Sequence, residues 1–247
     1  MTGRSTVVAA ALALVASGWC APALAQSNAA GLTGRPGAVA NAAPPVAKYV
    51  AGDDREFTLD RTGPRPLLKF EDDPEVLVLY PSPGPRGDVI YRDDTGRPVV
   101  RATRLGGLTV FTPDRPGGLP AALAGQTTRI RMAAISAVQL LRHIARQSLR
   151  ASQAVGRRVV FEAPEIRRGE ETVYAEAATL TAEAFEEASR RERTQRALRN
   201  VRRVELTTGQ RPDVALAGDT VRVTVTPQYG HAGRPSSRRI LSRIGGR

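Results

Sequence analysis

Residues 88–104 run Asp88-Val89-Ile90-Tyr91-Arg92-Asp93-Asp94-Thr95-Gly96-Arg97-Pro98-Val99-Val100-Arg101-Ala102-Thr103-Arg104. Two runs of strand-forming residues, 88–92 and 99–104, flank the turn cluster Asp93-Asp94-Thr95-Gly96. Its glycine is able to supply the positive φ that a tight turn requires. This reads as a β-hairpin. Outward from it, short β-like runs at 56–59, 67–70, 75–80, 88–91, 99–103 and 108–112 alternate with clusters of Gly, Pro and Asp. A spacing of about ten residues with that punctuation predicts an antiparallel meander or small barrel.

Beyond 112 the period changes. Residues 113–125 are rich in Gly and Pro and read as a hinge from strands to helices. In 130–154, Ile130, Ala134, Val138, Leu141, Ala145 and Leu149 recur at spacings of three and four, which predicts a helix with that stripe toward a core. Arg142, Arg146 and Arg150 form a cationic row beside it. A short strand is expected at 159–161, ended by Pro164. A second long helix is expected over 171–203, where acids come first and arginines last, an order that complements the helix dipole. Residues 220–226 alternate Val221, Val223 and Val225 with Arg222 and Thr224, a half-buried strand. The tail 230–247 holds five Arg and no acid and is either loose or a short helix beginning near Pro235. The expected class is α+β: an antiparallel β-rich N-terminal half, two long helices and a C-terminal strand or hairpin. The expected division is a single domain over 49–229, β-rich in 49–112, helical in 126–203 and stranded in 204–226, with the basic tail after it.

The N-terminus carries an address. Arg4, the apolar run 7–16 and Ala23-Leu24-Ala25 are the three parts of a secretory signal peptide over 1–25. The apolar run is shorter than the ~20 residues that span a bilayer. Trp19 before Cys20 is too large for lipoprotein processing. Residues 26–48, rich in Ala, Gly, Asn and Pro, read as a flexible leader. These features predict export to the periplasm or medium, with no transmembrane segment left after cleavage.

The 247 residues hold 36 Lys+Arg against 24 Asp+Glu, a formal charge of +12. All but two of the bases are Arg, and aromatics make up only 4%, so any core is aliphatic. One Cys and two His argue against a disulfide framework and a metal centre, and no cofactor is expected. The charge is not spread evenly. Residues 116–161 hold seven Arg and no acid, and 206–247 seven Arg and two acids, while the rest is near neutral.

The stretches Gly84-Pro85-Arg86-Gly87-Asp88-Val89-Ile90-Tyr91-Arg92, Arg101-Ala102-Thr103-Arg104-Leu105-Gly106-Gly107-Leu108-Thr109 and Arg115-Pro116-Gly117-Gly118 resemble a family of exported alphaproteobacterial proteins that is defined by a domain of unknown function. The resemblance implies export and a bacterial source. It brings no catalytic residues.

No nucleophile elbow, zinc-binding His-Glu-x-x-His or phosphate loop is present. His143 reads as a solvated helix residue and His231 as a loop residue. The acidic clusters Glu71-Asp72-Asp73-Pro74-Glu75 and Asp93-Asp94 read as turn acids. As paired carboxylates they would support the alternative of a hydrolase acting on envelope polymers. The first reading is a non-enzymatic binding or envelope-associated protein with a basic surface. Its partner would be anionic: lipid head groups, lipopolysaccharide or an acidic protein, held by Arg142, Arg146, Arg150, Arg238, Arg239 and Arg243. Nucleic acid fits less well, because export and scarce aromatics leave little for base stacking.

Overall fold

The computed structural model describes residues 44–246. The signal peptide and most of the leader lie outside the described residues. The chain forms β1 (Val46–Ala51), β2 (Glu56–Asp60), β3 (Leu67–Phe70), β4 (Val76–Val78), β5 (Tyr80–Pro83), β6 (Val89–Arg92), β7 (Pro98–Ala102), β8 (Leu108–Val110) and β9 (Leu119–Gln126). Then come α1 (Ala137–Val155), β10 (Val160–Glu162), α2 (Glu171–Ser189), α3 (Glu192–Leu198), β11 (Arg203–Thr208), β12 (Asp213–Ala217), β13 (Thr220–Val225) and α4 (Ser237–Ile244). The class is α+β, as the hydrophobic periods predict.

The first nine strands make one antiparallel sheet in the order β4-β3-β2-β1-β9-β8-β7-β6-β5. Its two edge strands, β4 and β5, are separated in the chain by Leu79 alone. One continuous segment therefore supplies both edges, and the sheet closes into an up-and-down barrel. Leu79 is fully buried and its N–H donates to the Pro66 carbonyl at 2.8 Å, which holds the joint. Closure through one segment shortens the open edge that could recruit another strand. Alternate residues fill the interior, among them Tyr49, Phe57, Leu59, Leu68, Phe70, Val100 and Val110. The ring centroids of Tyr49 and Phe57 stack at 5.5 Å, and Phe70 tilts against Phe57 at 5.7 Å.

Two barrel strands differ from expectation. Residues 119–126, expected as part of a hinge, form β9, and β1 begins inside the stretch read as leader. Leu119-Pro120-Ala121-Ala122-Leu123-Ala124-Gly125-Gln126 is a poor strand by composition. It becomes one because it pairs with β8 on one side and β1 on the other, which completes the ring.

The remaining elements build a second layer. A four-stranded sheet, β10-β11-β13-β12, has β10, β11 and β13 parallel and β12 antiparallel to β13. The helix α2 makes the crossover that a parallel β10–β11 pair requires. Ala177, Ala178, Ala182, Ala184 and Ala188 leave α2 narrow, so it is buried on most of its surface between α1, α4 and the sheet. The expected helix over 171–203 is broken: Arg191 takes an extended conformation (φ −115°, ψ 119°), and α3 follows as a separate short helix.

The inner face of α1 also corrects the sequence reading. Leu140, Ile144, Gln147 and Ala151 point into the core, whereas Val138, Leu141, Ala145 and Leu149 are exposed. The helix carries two apolar stripes of equal length, and the one that packs is the one interrupted by Gln147. The selection follows from neighbours: His143 Nε2 meets Thr179 Oγ1 at 2.7 Å and Arg150 forks onto Glu186, both on α2, which fixes the rotation of α1. A capping box at Ser136 and Gln139 starts the helix, and Gly156 (φ 70°) ends it in the left-handed conformation.

Candidate anion-binding cleft

The hairpin turn that opened the sequence reading is built as an aspartate turn. The Asp93 carboxylate accepts the Thr95 N–H at 2.9 Å, the Thr95 hydroxyl at 2.6 Å and the Arg97 N–H at 3.0 Å. That leaves Asp94 directed away from its own turn, onto the start of α4. Its carboxylate accepts the Ser236 N–H at 2.9 Å and the Ser236 hydroxyl. Ser236 in turn caps α4 by accepting the Arg239 N–H at 3.0 Å. Arg238 pairs with Asp93 at 2.9 Å, and an Arg239 Nη donates to the Asp94 carbonyl at 3.2 Å. The barrel hairpin and α4 are thus one stitched unit.

A parallel set of bonds lies alongside. Glu75, buried next to β4, accepts the Ser237 N–H at 3.1 Å and the Ser237 hydroxyl. Arg234 is almost wholly buried; it donates to Glu176 at 2.6 Å and to the Val76 carbonyl at 3.0 Å. His231 Nδ1 sits 3.0 Å from the same Glu176 oxygen. Burial pushes the Glu176 carboxyl up, but the His231 hydrogen bond and the Arg234 charge outweigh it and hold it below its usual range. Glu75 moves the other way: burial raises it, and its bonds to Ser237 offset only part of that.

Between this unit and the α2–α3 bend lies an open cleft of about 660 Å³. Arg97 comes from the hairpin, Arg191 and Arg193 from the bend, and Arg238, Arg239 and Arg243 from α4. Among the described residues of the lining the sole carboxylate is Asp94, already committed to Ser236. The bend is fixed by Thr194, whose hydroxyl donates to the Ala188 carbonyl at 2.7 Å.

Several of these arginines are partly neutralised from behind. Arg191 pairs with Glu187 at 2.6 Å, while Arg239 and Arg243 share Asp213 at 3.5 and 3.6 Å. The side chains of Arg97 and Arg193 have no ion pair or hydrogen bond among the described residues, and the Nε of Arg239 is buried without a partner. A guanidinium is a planar fork that meets phosphate or carboxylate oxygens two at a time. The cleft therefore offers, on Arg97 and Arg193, donors that the protein itself leaves unused.

The six arginines expected to act together divide into three groups. Arg238, Arg239 and Arg243 line the cleft. Arg150 is committed to Glu186 and Gln147. Arg142 and Arg146 are exposed on α1 and take no part in the cleft. Sequence reasoning missed Arg97, Arg191 and Arg193. The last two sit in the basic half of the expected long helix, and only the break at Arg191 turns them toward α4.

The acidic clusters are spent on structure or open to solvent. Glu75, Asp93 and Asp94 hold the stitches above, Asp73 accepts the Glu75 N–H at 2.8 Å, and Asp72 pairs with Arg55 at 3.0 Å. His143 is not solvated as expected, and His231, read as a loop residue, lies in the segment after β13. His143 is half-buried against α2, and His231 is buried against Glu176.

The family described as Domain of unknown function (DUF4908) matches residues 28–244. The chain belongs to that family. No curated protein and no solved structure matches it. No described helix is long and apolar enough to cross a membrane.

Proposed function

We propose that this member of the DUF4908 family is an exported binding protein that holds a multiply charged anionic partner in its arginine-lined cleft. The observation that carries the reading is the convergence of six guanidiniums from three separate elements on one concavity, with Asp94 the only acid among its described lining residues. Here the hairpin, bend and α4 bonds fix the backbone from which the arginines extend, and Glu187, Asp93 and Asp213 hold four of the six side chains before any ligand arrives, which lowers the cost of binding. Phosphate clusters, as on envelope lipids and lipopolysaccharide, present oxygens to several forks at once, which one isolated carboxylate does not.

The signal-peptide sequence supports the location. Arg4, the apolar run and Ala23-Leu24-Ala25 give export with cleavage after Ala25, and the resemblance noted above adds an alphaproteobacterial source. Intact mass of periplasmic protein tests this: Gln26 is the expected first residue, and a full-length cytoplasmic product would contradict it.

The binding test is equilibrium titration at low salt with inositol hexakisphosphate, a soluble phosphate cluster, and with citrate as the carboxylate arm. One phosphate-cluster site per chain is expected. Replacing Arg97 and Arg193 by Gln should weaken it about tenfold or more, since hydrogen bonds to charged groups are lost. Tighter binding of citrate would move the ligand class to carboxylates. No binding of either probe would end the proposal.

A further inference from the structure

The exposed stripe of α1 is a feature that the cleft does not use. Val138 and Leu149 are each 58% exposed and Leu141 66%, and Ala145 lies between them, also exposed. At 1.5 Å per residue the ridge from Val138 to Leu149 is about 16 Å long. Arg142 and Arg146 run along one side of it, both exposed and without an ion pair among the described residues. No Asp or Glu occurs anywhere in α1.

We infer that this outer ridge of α1 is a docking surface for an anionic lipid surface. A convex helical ridge, apolar along its crest and cationic along its flank, is the form in which a helix lies in a membrane interface. The crest then enters the acyl boundary while the arginines meet head-group phosphates. A second copy of the chain is a poorer occupant. Two such ridges laid together would bring Arg142 and Arg146 of one copy against those of the other with no acid on either helix to separate them. The stripe is also not required for folding, because α1 already buries Leu140, Ile144 and Ala151 on its other side. An apolar stripe that is absent from the core yet continuous over three turns is larger than the single exposed side chains that any surface carries.

The proposal goes beyond the cleft and is tested apart from it. Full-length protein is co-sedimented with vesicles containing phosphatidylglycerol and with vesicles of phosphatidylcholine alone, at low and high salt. Binding to the anionic vesicles alone is expected, weakened by salt. Leu141→Ser/Leu149→Ser should weaken it about tenfold or more, by loss of apolar burial. Arg142→Gln/Arg146→Gln should weaken it about as much, by loss of attraction to the charged surface. Both variants change exposed positions, so unaltered thermal melts confirm that they fold. Leu141→Ser/Leu149→Ser should bind inositol hexakisphosphate like wild type, which separates this surface from the cleft. No wild-type binding, or retained binding by the Leu variant, would overturn the ridge as a lipid surface. So would a wild-type dimer in sedimentation velocity that the Leu variant dissociates, since a second copy would then cover the ridge.

Discussion

Leu140 and Leu141 are neighbours in the chain with opposite fates, and truncating each to alanine tests the rotation of α1. Leu140 is 1% exposed and packs in the core shared by α1, α2 and the four-stranded sheet. Leu140→Ala removes buried apolar surface and leaves a cavity, a change worth about 2–5 kcal/mol. With about 3 kcal/mol lost, and roughly 2–4 °C per kcal/mol for a unit of this size, Tm should fall by about 6–12 °C. Leu141 is 66% exposed. Leu141→Ala removes little packed surface and should change stability by no more than about 0.5 kcal/mol. Thermal melts followed by circular dichroism distinguish the two. A larger loss for Leu141→Ala than for Leu140→Ala would mean that α1 is rotated, that the stripe at Val138, Leu141 and Leu149 faces the core, and that the docking ridge does not exist.

Other outcomes follow from the buried charges and one backbone contact. Glu183 on α2 is pushed up to about 7, first by burial and then by Glu75, with Asp73 and Glu186 adding and Arg150 opposing. The folded state therefore keeps a proton that the unfolded state has lost between its ordinary value near 4.5 and about 7, and stability falls as pH rises through that window. Because Glu183 is partly exposed, the loss is discounted for screening to about 1–2 kcal/mol. Urea melts at about pH 5 and pH 8 should show it, and Glu183→Gln should flatten the slope and stabilise the protein at the higher pH; an unchanged slope would refute the assignment. Arg234→Ala should cost about 3–5 kcal/mol by leaving Glu176 and the Val76 carbonyl without their buried donor, and a melt within error of wild type would mean that the network is not structural. Gly233→Ala would place a Cβ 2.1 Å from the Thr226 carbonyl oxygen and should cost about 3 kcal/mol by the same melts.

Much of the architecture was legible in the sequence where local pattern and tertiary demand agree. The hairpin around Asp93–Gly96 and the alternating valines of β13 are stated by side-chain period alone. What was not legible depends on partners distant in the chain. β9 is a strand because the ring needs it, not because Pro120 and Gly125 favour one. In α1 both stripes satisfy a helical period, and the choice between them rests on Glu186 and Thr179 of α2. The cleft has the same origin. Arg238, Arg239 and Arg243 could be named from local charge, but Arg97, Arg191 and Arg193 join them only through the Asp94–Ser236 bonds and the break at Arg191. Asp73 and Asp93 are the turn acids that the sequence suggested, while Glu75, Asp93 and Asp94 also fasten α4 to the barrel, a role that depends on partners 142 to 162 residues away.

The central claim is that the cleft, and not net charge, holds the anion, and a charge-matched titration tests it most directly. Inositol hexakisphosphate binding is measured for wild type, for Arg97→Gln/Arg193→Gln, and for Arg167→Gln/Arg168→Gln, which removes the same charge from exposed arginines outside the cleft. The account predicts a loss of about tenfold or more for the cleft pair and a change within about twofold for the control pair, whose exposed charges are screened over a Debye length of about 8 Å. Equal losses from the two pairs would contradict it, because the basic charge would then act as a diffuse surface rather than as a site.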